Sequence, residues 1–302
     1  MGSLKTLVRQ LFCGNVAPLA EQTGHHPDGK AQTRLRGAQA ADASVAAGNA
    51  ALGRREYDQA IACFSAAIDV RHDDAAAYCG LGIAHFKLGQ REDAADHFQM
   101  ALHFAADLVE PRYYLALVAQ RAGDFPAAMD YAMAVLERQP DHADACNLLG
   151  ACSLALGNAG RAVELFSRAV DLRPGEASYR SNLGYVLVRD FGEVERGRMH
   201  LEKALQLDPS DAAIRCNYCS VLNQDGRTDE VIAVCSELLI RHPEMHEARL
   251  NRALALLKKR RFAEGWQDYE ARTATRSNYL PRPYDYATWR GESLAEIGRA
   301  HV

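Results

Sequence analysis

Residues 143–176 read ADACNLLGACSLALGNAGRAVELFSRAVDLRPGE, and this stretch decides the fold. Counted from Ala143, its landmarks at positions 8, 15, 20, 24, 27 and 32 are Gly150, Gly157, Ala162, Phe166, Ala169 and Pro174. Glycine can end a helix in the left-handed conformation, and proline cannot continue one. The landmarks therefore predict two helices joined by a tight turn, with small residues where the helices cross and one large side chain between them.

The same pattern returns every 34 residues from Ala41 to Arg272, with one extra residue near Phe191-Gly192. Position 8 reads Gly48, Gly82, Ala116, Gly150, Gly184, Cys219 and Ala253. Position 24 reads Phe64, Phe98, Ala132, Phe166, Leu201, Cys235 and Tyr269. A single helix pair cannot bury its faces, but stacked pairs share a continuous core. We therefore expect seven helix-turn-helix units over residues 41–272, with the phenylalanines of position 24 as buried anchors.

This pattern resembles the tetratricopeptide repeat (TPR) family over roughly residues 41–272. The resemblance implies an all-α fold, an α-α superhelix whose concave surface binds another polypeptide. It also implies that the chain is a protein-interaction module. Two departures from the family pattern are that Tyr78 is the only aromatic residue at position 4, and that Arg272 stands at position 27, where a small residue is usual.

The composition limits the possible function. The net charge is −4, which argues against a general nucleic-acid binder, since such proteins need a basic surface to displace counterions. No run of 18 apolar residues is present, so we predict no membrane span. The eight cysteines are scattered and are predicted to be reduced core thiols of a cytoplasmic protein.

The two ends of the chain differ from the repeats. Residues 1–40 are predicted to be a flexible lead-in with a short amphipathic helix at its start. The segment from Phe262 to Arg272, together with Trp289-Arg290-Gly291-Glu292, resembles the junction at which bacterial TPR arrays precede a heptosyltransferase-like glycosyltransferase domain, also related to protein O-GlcNAc transferase. We expect residues 273–295 to be a linker toward such a domain, missing here. Residues 296–302 match a translated sequencing adapter and are expected to be an artefact of a truncated gene.

No catalytic, cofactor or metal site is predicted. Cys216-x-x-Cys219 lacks a second ligand pair for zinc, so core packing is the expected role of these cysteines. Asp73-Asp74 lies at a repeat boundary and is predicted to be a solvated turn.

Candidate peptide-binding residues recur at two positions of the repeat. Position 6 reads Asn182, Asn217 and Asn251 in repeats five to seven, and an asparagine there contacts the backbone of an extended peptide in the O-GlcNAc transferase repeats that these units resemble. The alternative is that the asparagines bond to neighbouring helices of the array. Position 13 carries the bases Lys87, Arg121, Arg189 and Lys258. These bases favour acidic or mixed peptides, unless they pair with the acids of position 2, which are Asp42, Glu110, Asp144 and Glu247.

The sequence therefore favours a scaffold that binds an extended peptide or partner protein in the groove of the array. It would recruit that partner for a glycosyltransferase-like domain. Two alternatives stay open: a substrate-selecting part of a protein or glycan glycosyltransferase, and a free-standing assembly or secretion co-chaperone. The sequence makes no prediction of the oligomeric state.

Overall fold

The computed structural model describes residues 27–270, with side chains from Leu35 onward, and every regular element in that range is an α-helix. Two compact units divide between Ala106 and Asp107. The first contains α1 Pro27–Gly53, α2 Tyr57–Val70, α3 Ala75–Lys87 and α4 Arg91–Phe104. The second contains α5 Glu110–Ala122, α6 Phe125–Arg138, α7 Ala143–Ala155, α8 Ala159–Leu172, α9 Ala177–Phe191, α10 Val194–Leu207, α11 Ala212–Gln224, α12 Thr228–Arg241, α13 His246–Lys258 and α14 Phe262–Tyr269. The all-α fold is as predicted.

Helix α1 begins earlier than the repeat pattern. Residues 27–40, which we expected to belong to a flexible lead-in, form the first half of α1. The physical reason is local. Proline at the first helical position loses no hydrogen bond, and the alanine-rich sequence that follows favours helix without needing an apolar period. The rest of the predicted lead-in, and the segments 273–295 and 296–302, lie outside the described residues.

Within each unit the helices pack in chain order. In the first unit, α1 packs against α2, α2 against α3, and α3 against α4. In the second unit, every helix from α5 to α14 contacts the next one along the chain, and the first helices of neighbouring repeats also touch, as α9 does α11. The inserted residue of the fifth repeat lies in α9, which has 15 residues and ends before Gly192 in the left-handed conformation.

The core follows the predicted pairing of small and large residues. Phe64, Phe98 and Phe166 are 0%, 0% and 1% exposed. A Cβ atom placed on Gly150 would lie 2.7 Å from the Phe166 ring, and the same clash would occur between Gly48 and Phe64 and between Gly82 and Phe98. Glycine at position 8 therefore makes room for the ring at position 24.

The turns between paired helices also follow the sequence. Gly89, Gly123, Gly157 and Gly226 have φ angles of 79°, 80°, 82° and 70°. Arg55 and Arg260 occupy the same position in the first and seventh repeats and adopt φ angles of 62° and 60°, at a conformational cost for a residue with a side chain. Position 32 holds a proline in four repeats, and all four lie between helices, as expected: Pro140, Pro174, Pro209 and Pro243.

The prediction that Asp73-Asp74 is a solvated turn is wrong for Asp74. It is 5% exposed, and is therefore not a solvated turn residue, while its neighbour Asp73 is exposed. Asp74 is the N-cap of α3, where its side chain accepts a hydrogen bond from the Ala77 backbone N–H at 3.0 Å, and it pairs with Arg71. Burial is tolerated because both partners satisfy the carboxylate.

Across residues 27–270, no helix combines the length and the apolar character that a membrane crossing requires.

Candidate peptide-binding face

The three asparagines of position 6 link successive first helices of the second unit. Asn182 on α9 donates through Nδ2 to the Asn147 side chain on α7 at 2.8 Å. Asn217 on α11 donates to Ser181 Oγ on α9 at 2.9 Å. Asn251 on α13 donates to the Cys216 backbone carbonyl at 3.3 Å and also lies 3.4 Å from Cys216 Sγ. All three are half-buried.

Each acceptor belongs to position 5 of the preceding repeat. The Nδ2 donors are therefore engaged inside the protein, as the alternative to the peptide ladder proposes. The side-chain Oδ1 atoms of the three asparagines accept no hydrogen bond from residues 27–270. An amide offers both donors and an acceptor, so fixing Nδ2 leaves an oriented acceptor on each side chain. We call the row Asn182, Asn217 and Asn251 the amide row.

The partners of the amide row were not predictable from the sequence. Asn147, Ser181 and Cys216 share a place in the repeat but have no chemistry in common, since one contributes an amide oxygen, one a hydroxyl and one mainly a backbone carbonyl. No residue pattern could have revealed them.

Two of the four predicted bases lie on the same first helices as the amide row. The Arg189 guanidinium stacks 4.8 Å from the centre of the Tyr185 ring, donates to the Tyr185 hydroxyl at 3.1 Å and pairs with Asp190 at 2.7 Å. Lys258 Nζ lies 3.4 Å from the Asn223 carbonyl. Both bases are exposed, and each sits one helical turn or more beyond an asparagine of the row.

The other two bases lie apart from this group in the chain. Arg121 is exposed on α5, and Lys87 is exposed on α3 of the first unit. Among the acids of position 2, Asp42 pairs with Arg71 at 3.0 Å, and Asp144 pairs with Arg173 and accepts from the Tyr179 hydroxyl. These two acids therefore bind arginines that follow second helices, and not the bases of position 13.

The cysteine motif packs in the core. Cys216 and Cys219 are 3% and 0% exposed and belong to a cluster with Val231, Cys235 and Leu238. Burial raises the pKa of Cys216 to about 12. Among residues 27–270 no group of three or more His, Cys, Asp or Glu side chains is arranged to hold a metal ion.

A cavity of about 210 Å³ lies between α12, α13 and α14. Arg252 and Asp268 line it and form an ion pair with nitrogen–oxygen distances of 2.7 and 3.0 Å, while Arg252 also reaches Ser236 at 3.3 Å. Sites for small-molecule ligands usually measure about 300–1,000 Å³. This cavity is smaller than such sites, and within it Arg252 bonds to both Asp268 and Ser236. We therefore assign these side chains to the packing of the seventh repeat against the sixth.

Comparison with solved structures places the fold among known repeat proteins. The Pseudomonas aeruginosa PilF structure superposes with a TM-score of 0.61 at 16% identity, covering 70% of this chain and 96% of PilF. Cut9, in the APC/C hetero-tetramer Cut9–Hcn1, gives a TM-score of 0.64 at 18% identity, with 76% and 47% covered. A tetratricopeptide repeat protein from Parabacteroides merdae gives 0.60 at 14% identity, with 80% and 95% covered. At these identities the similarity is one of fold.

Sequence comparisons identify the repeats themselves. Protein FlbA of Caulobacter vibrioides is 26% identical over 161 residues, which are 52% of this chain and 27% of FlbA, so the chain spans about a quarter of that relative. Residues 48–89 match the family profile described as TPR repeat, and residues 113–177 match the profile described as tetratricopeptide repeat. Residues 48–89 and 113–177 therefore match tetratricopeptide repeats, and the described part of the chain has the all-α fold of TPR solenoids.

Proposed function

We propose that this chain is a non-enzymatic scaffold that binds an extended peptide, or an extended segment of a partner protein, along the first helices α9, α11 and α13. TPR proteins are generally protein-interaction scaffolds. The observation that carries the specific proposal is the amide row. Three successive repeats hold an asparagine at one position, with Nδ2 bonded to the preceding repeat and with Oδ1 accepting no hydrogen bond from the described residues.

Fixed acceptors suit an extended backbone. In an extended chain alternate residues face the same side, so its N–H groups recur at a regular interval along one edge. Acceptors that are already oriented lose little freedom on binding, which favours affinity. Because they contact the backbone, the amide row would bind peptides with little regard to their side chains.

Arg189 and Lys258 would give the binding face a preference among peptides of different charge. Arg189 and Lys258 are exposed cations on the same first helices as Asn182 and Asn251. Arg189 pairs with the adjacent Asp190, Lys258 contacts the Asn223 carbonyl, and neither base forms an ion pair with an acid of position 2 within the described residues. We expect acidic or mixed peptides to bind better than basic ones, with an affinity that falls as salt rises.

A displayed library of random linear peptides, panned against the full chain, provides the probe. The affinity of a selected peptide is then measured by fluorescence anisotropy for the chain, for the double variant Asn217→Ala/Asn251→Ala and for the control Gln206→Ala on α10. Losing two hydrogen bonds should weaken binding by roughly tenfold or more. Unchanged affinity in a double variant that remains folded, shown by circular dichroism, would exclude the amide row.

The charge bias has a matched control. The variant Arg189→Ala/Lys258→Ala removes two cations from the first helices, whereas Lys203→Ala/Arg241→Ala removes two exposed cations from the second helices α10 and α12. Only the first variant should lower the affinity for an acidic peptide and reduce the salt dependence of its binding. Equal effects from both variants would reduce the bias to net charge alone.

The second candidate is that these repeats are the partner-recruiting or substrate-selecting arm of a glycosyltransferase-like protein. Its support is the resemblance of the segment beginning at Phe262 to the junction before such domains, most of which lies outside the described residues. Sequencing the genomic locus tests it. An in-frame nucleotide-sugar-binding domain after residue 295 would support the candidate, and a native stop codon there would favour a free-standing co-chaperone.

We also propose a cytoplasmic location, because all seven cysteines between Cys63 and Cys235 are free thiols. A fusion to alkaline phosphatase, which is active only after export, should be inactive in cells.

A further inference from the structure

The sixth repeat replaces the glycine–phenylalanine pair of other repeats with two cysteines. Position 8 is Cys219 on α11 and position 24 is Cys235 on α12, where the fourth repeat has Gly150 and Phe166. Both cysteines are 0% exposed, and their sulfur atoms lie 3.7 Å apart. The close approach of the two helices, which elsewhere accommodates a ring against a glycine, here brings two thiols into contact.

We propose that Cys219 and Cys235 are a redox-active pair, and that oxidation by a peroxide joins them in a disulfide that cross-links α11 to α12. This modification site is independent of the proposed peptide binding. It needs no movement of a distant segment, because the two thiols already face each other within one repeat.

The electrostatics assign different roles to the two thiols. With the Cys235 thiol as the donor, the hydrogen bond between the two sulfurs lowers the pKa of Cys219 against the opposing effect of burial, with a smaller contribution from Arg215. The same contact and burial raise the pKa of Cys235. The thiolate is the nucleophile in thiol oxidation. Cys219 is therefore the residue that reacts first with the oxidant, and Cys235 is the resolving residue.

The chemistry proceeds in two balanced steps. The Cys219 thiolate attacks one oxygen of hydrogen peroxide, the O–O bond breaks, hydroxide leaves, and Cys219 becomes a sulfenic acid. The Cys235 sulfur then attacks the Cys219 sulfur, forming the S–S bond, and the sulfenic oxygen leaves as water with the thiol proton. Two electrons pass from the two sulfurs to the peroxide. A small oxidant is required because neither sulfur is exposed.

Cys216 is a built-in comparison. It lies three residues before Cys219 in α11, but its sulfur is held 3.4 Å from Asn251 Nδ2 on α13, and burial keeps its pKa high. We therefore expect Cys216 to remain a thiol under conditions that oxidise the pair.

The cross-link should stiffen the sixth repeat. It closes the loop between residues 219 and 235, and a loop of about 15 residues is enough for a substantial loss of unfolded-state freedom. Amide exchange that requires α11 and α12 to separate should slow on the order of a hundredfold after oxidation, and a reducing agent should reverse the change.

The test treats the native full chain with hydrogen peroxide, alkylates the remaining thiols, digests the protein and maps disulfides by mass spectrometry. A Cys219–Cys235 disulfide should appear in the chain and in Cys216→Ala. It should be absent from Cys235→Ala and from Cys219→Gly, which restores the residue that position 8 has in four other repeats. A result in which Cys219 and Cys235 are both still alkylated after the half-buried Cys63 has been oxidised would overturn the proposal. So would a disulfide that forms only in the denatured chain, or one that leaves exchange in α11 and α12 unchanged.

Discussion

A single ring at position 24 fills the space that a glycine at position 8 leaves, as Phe166 does above Gly150. Replacing Phe166 by alanine removes the ring from a site with no other atoms to fill it. We expect the free energy of unfolding to fall by about 3–5 kcal/mol, measured by urea denaturation. Phe191→Ala is the control, because Phe191 is 47% exposed and its loss should change stability by at most about 0.5 kcal/mol. Equal losses in both variants would contradict this packing.

The arginines with positive φ angles, Arg55 and Arg260, predict a substitution that raises stability. Arg55 holds the position where four other repeats have a left-handed glycine. Because a side chain disfavours this conformation by about 1–2 kcal/mol, Arg55→Gly should raise the free energy of unfolding by about 1 kcal/mol. The reciprocal variant Gly89→Ala should lower it by a similar amount, and open space around Gly89 means that no clash contributes. Both are measured by urea denaturation, and a destabilised Arg55→Gly would show that its side chain makes a larger contribution.

Single residues also show where sequence reasoning ends. The pairs of positions 8 and 24 were predictable because small and large side chains recur together at a fixed interval. The asparagines of the amide row were predictable as a row. Their hydrogen-bond partners were not, since Ser181 and Asn147 become neighbours of the row only when the repeats stack.

At the scale of one helix, the N-cap residue fixes where the helix begins. Asp74 caps α3 and is buried, whereas the adjacent Asp73 is exposed and accepts no such bond. Asp74→Ala leaves the Ala77 N–H without its acceptor and leaves Arg71 with Asp42 as its remaining partner, so we expect a loss of about 1–2 kcal/mol in unfolding free energy. Asp73→Ala should cost under about 0.5 kcal/mol. Thermal melts of the two variants, followed at 222 nm, separate these outcomes, and a costlier Asp73→Ala would be evidence against the cap.

The first half of helix α1 was not predicted by the repeat pattern. It has no apolar stripe, so the repeat frame, which relies on periodic burial, did not include residues 27–40. Helix propensity and an initial proline both favour a helix here, but these signals are weak and tertiary contacts often override them. The helices from α2 to α14 were predictable because they carry the repeat's own landmarks.

At the scale of the whole chain, each of the two units has buried clusters of its own. Ala60, Phe64 and Leu81 belong to a cluster of the first unit, and Ala162, Phe166 and Leu183 belong to one of the second. Repeat arrays are stabilised mainly by contacts between neighbours. Each unit should therefore respond to conditions through its own buried groups, and each contains a histidine whose pKa is lowered by burial.

His97 in α4 and His200 in α10 are those groups, since each has a buried Nδ1 atom without a hydrogen-bond partner within residues 27–270. Burial, helped by His85, lowers the pKa of His97 below its ordinary value of 6.5, against a smaller opposing effect of Asp93 and Asp96. Burial, together with Arg180 and Arg196, lowers that of His200.

A lowered histidine pKa makes acid destabilising. Between the folded-state pKa and 6.5 the unfolded chain binds more protons than the folded one, so the free energy of unfolding falls as pH drops through that window. It levels off once the folded histidine also protonates. We therefore expect the urea midpoint to fall between pH 7 and pH 5, and His97→Gln to reduce that fall by keeping a neutral polar side chain at both pH values. Hydrogen exchange should locate the restored protection in α3 and α4 for His97→Gln, and in α9 and α10 for His200→Gln. A pH dependence unchanged in both variants would assign it to the carboxylates instead.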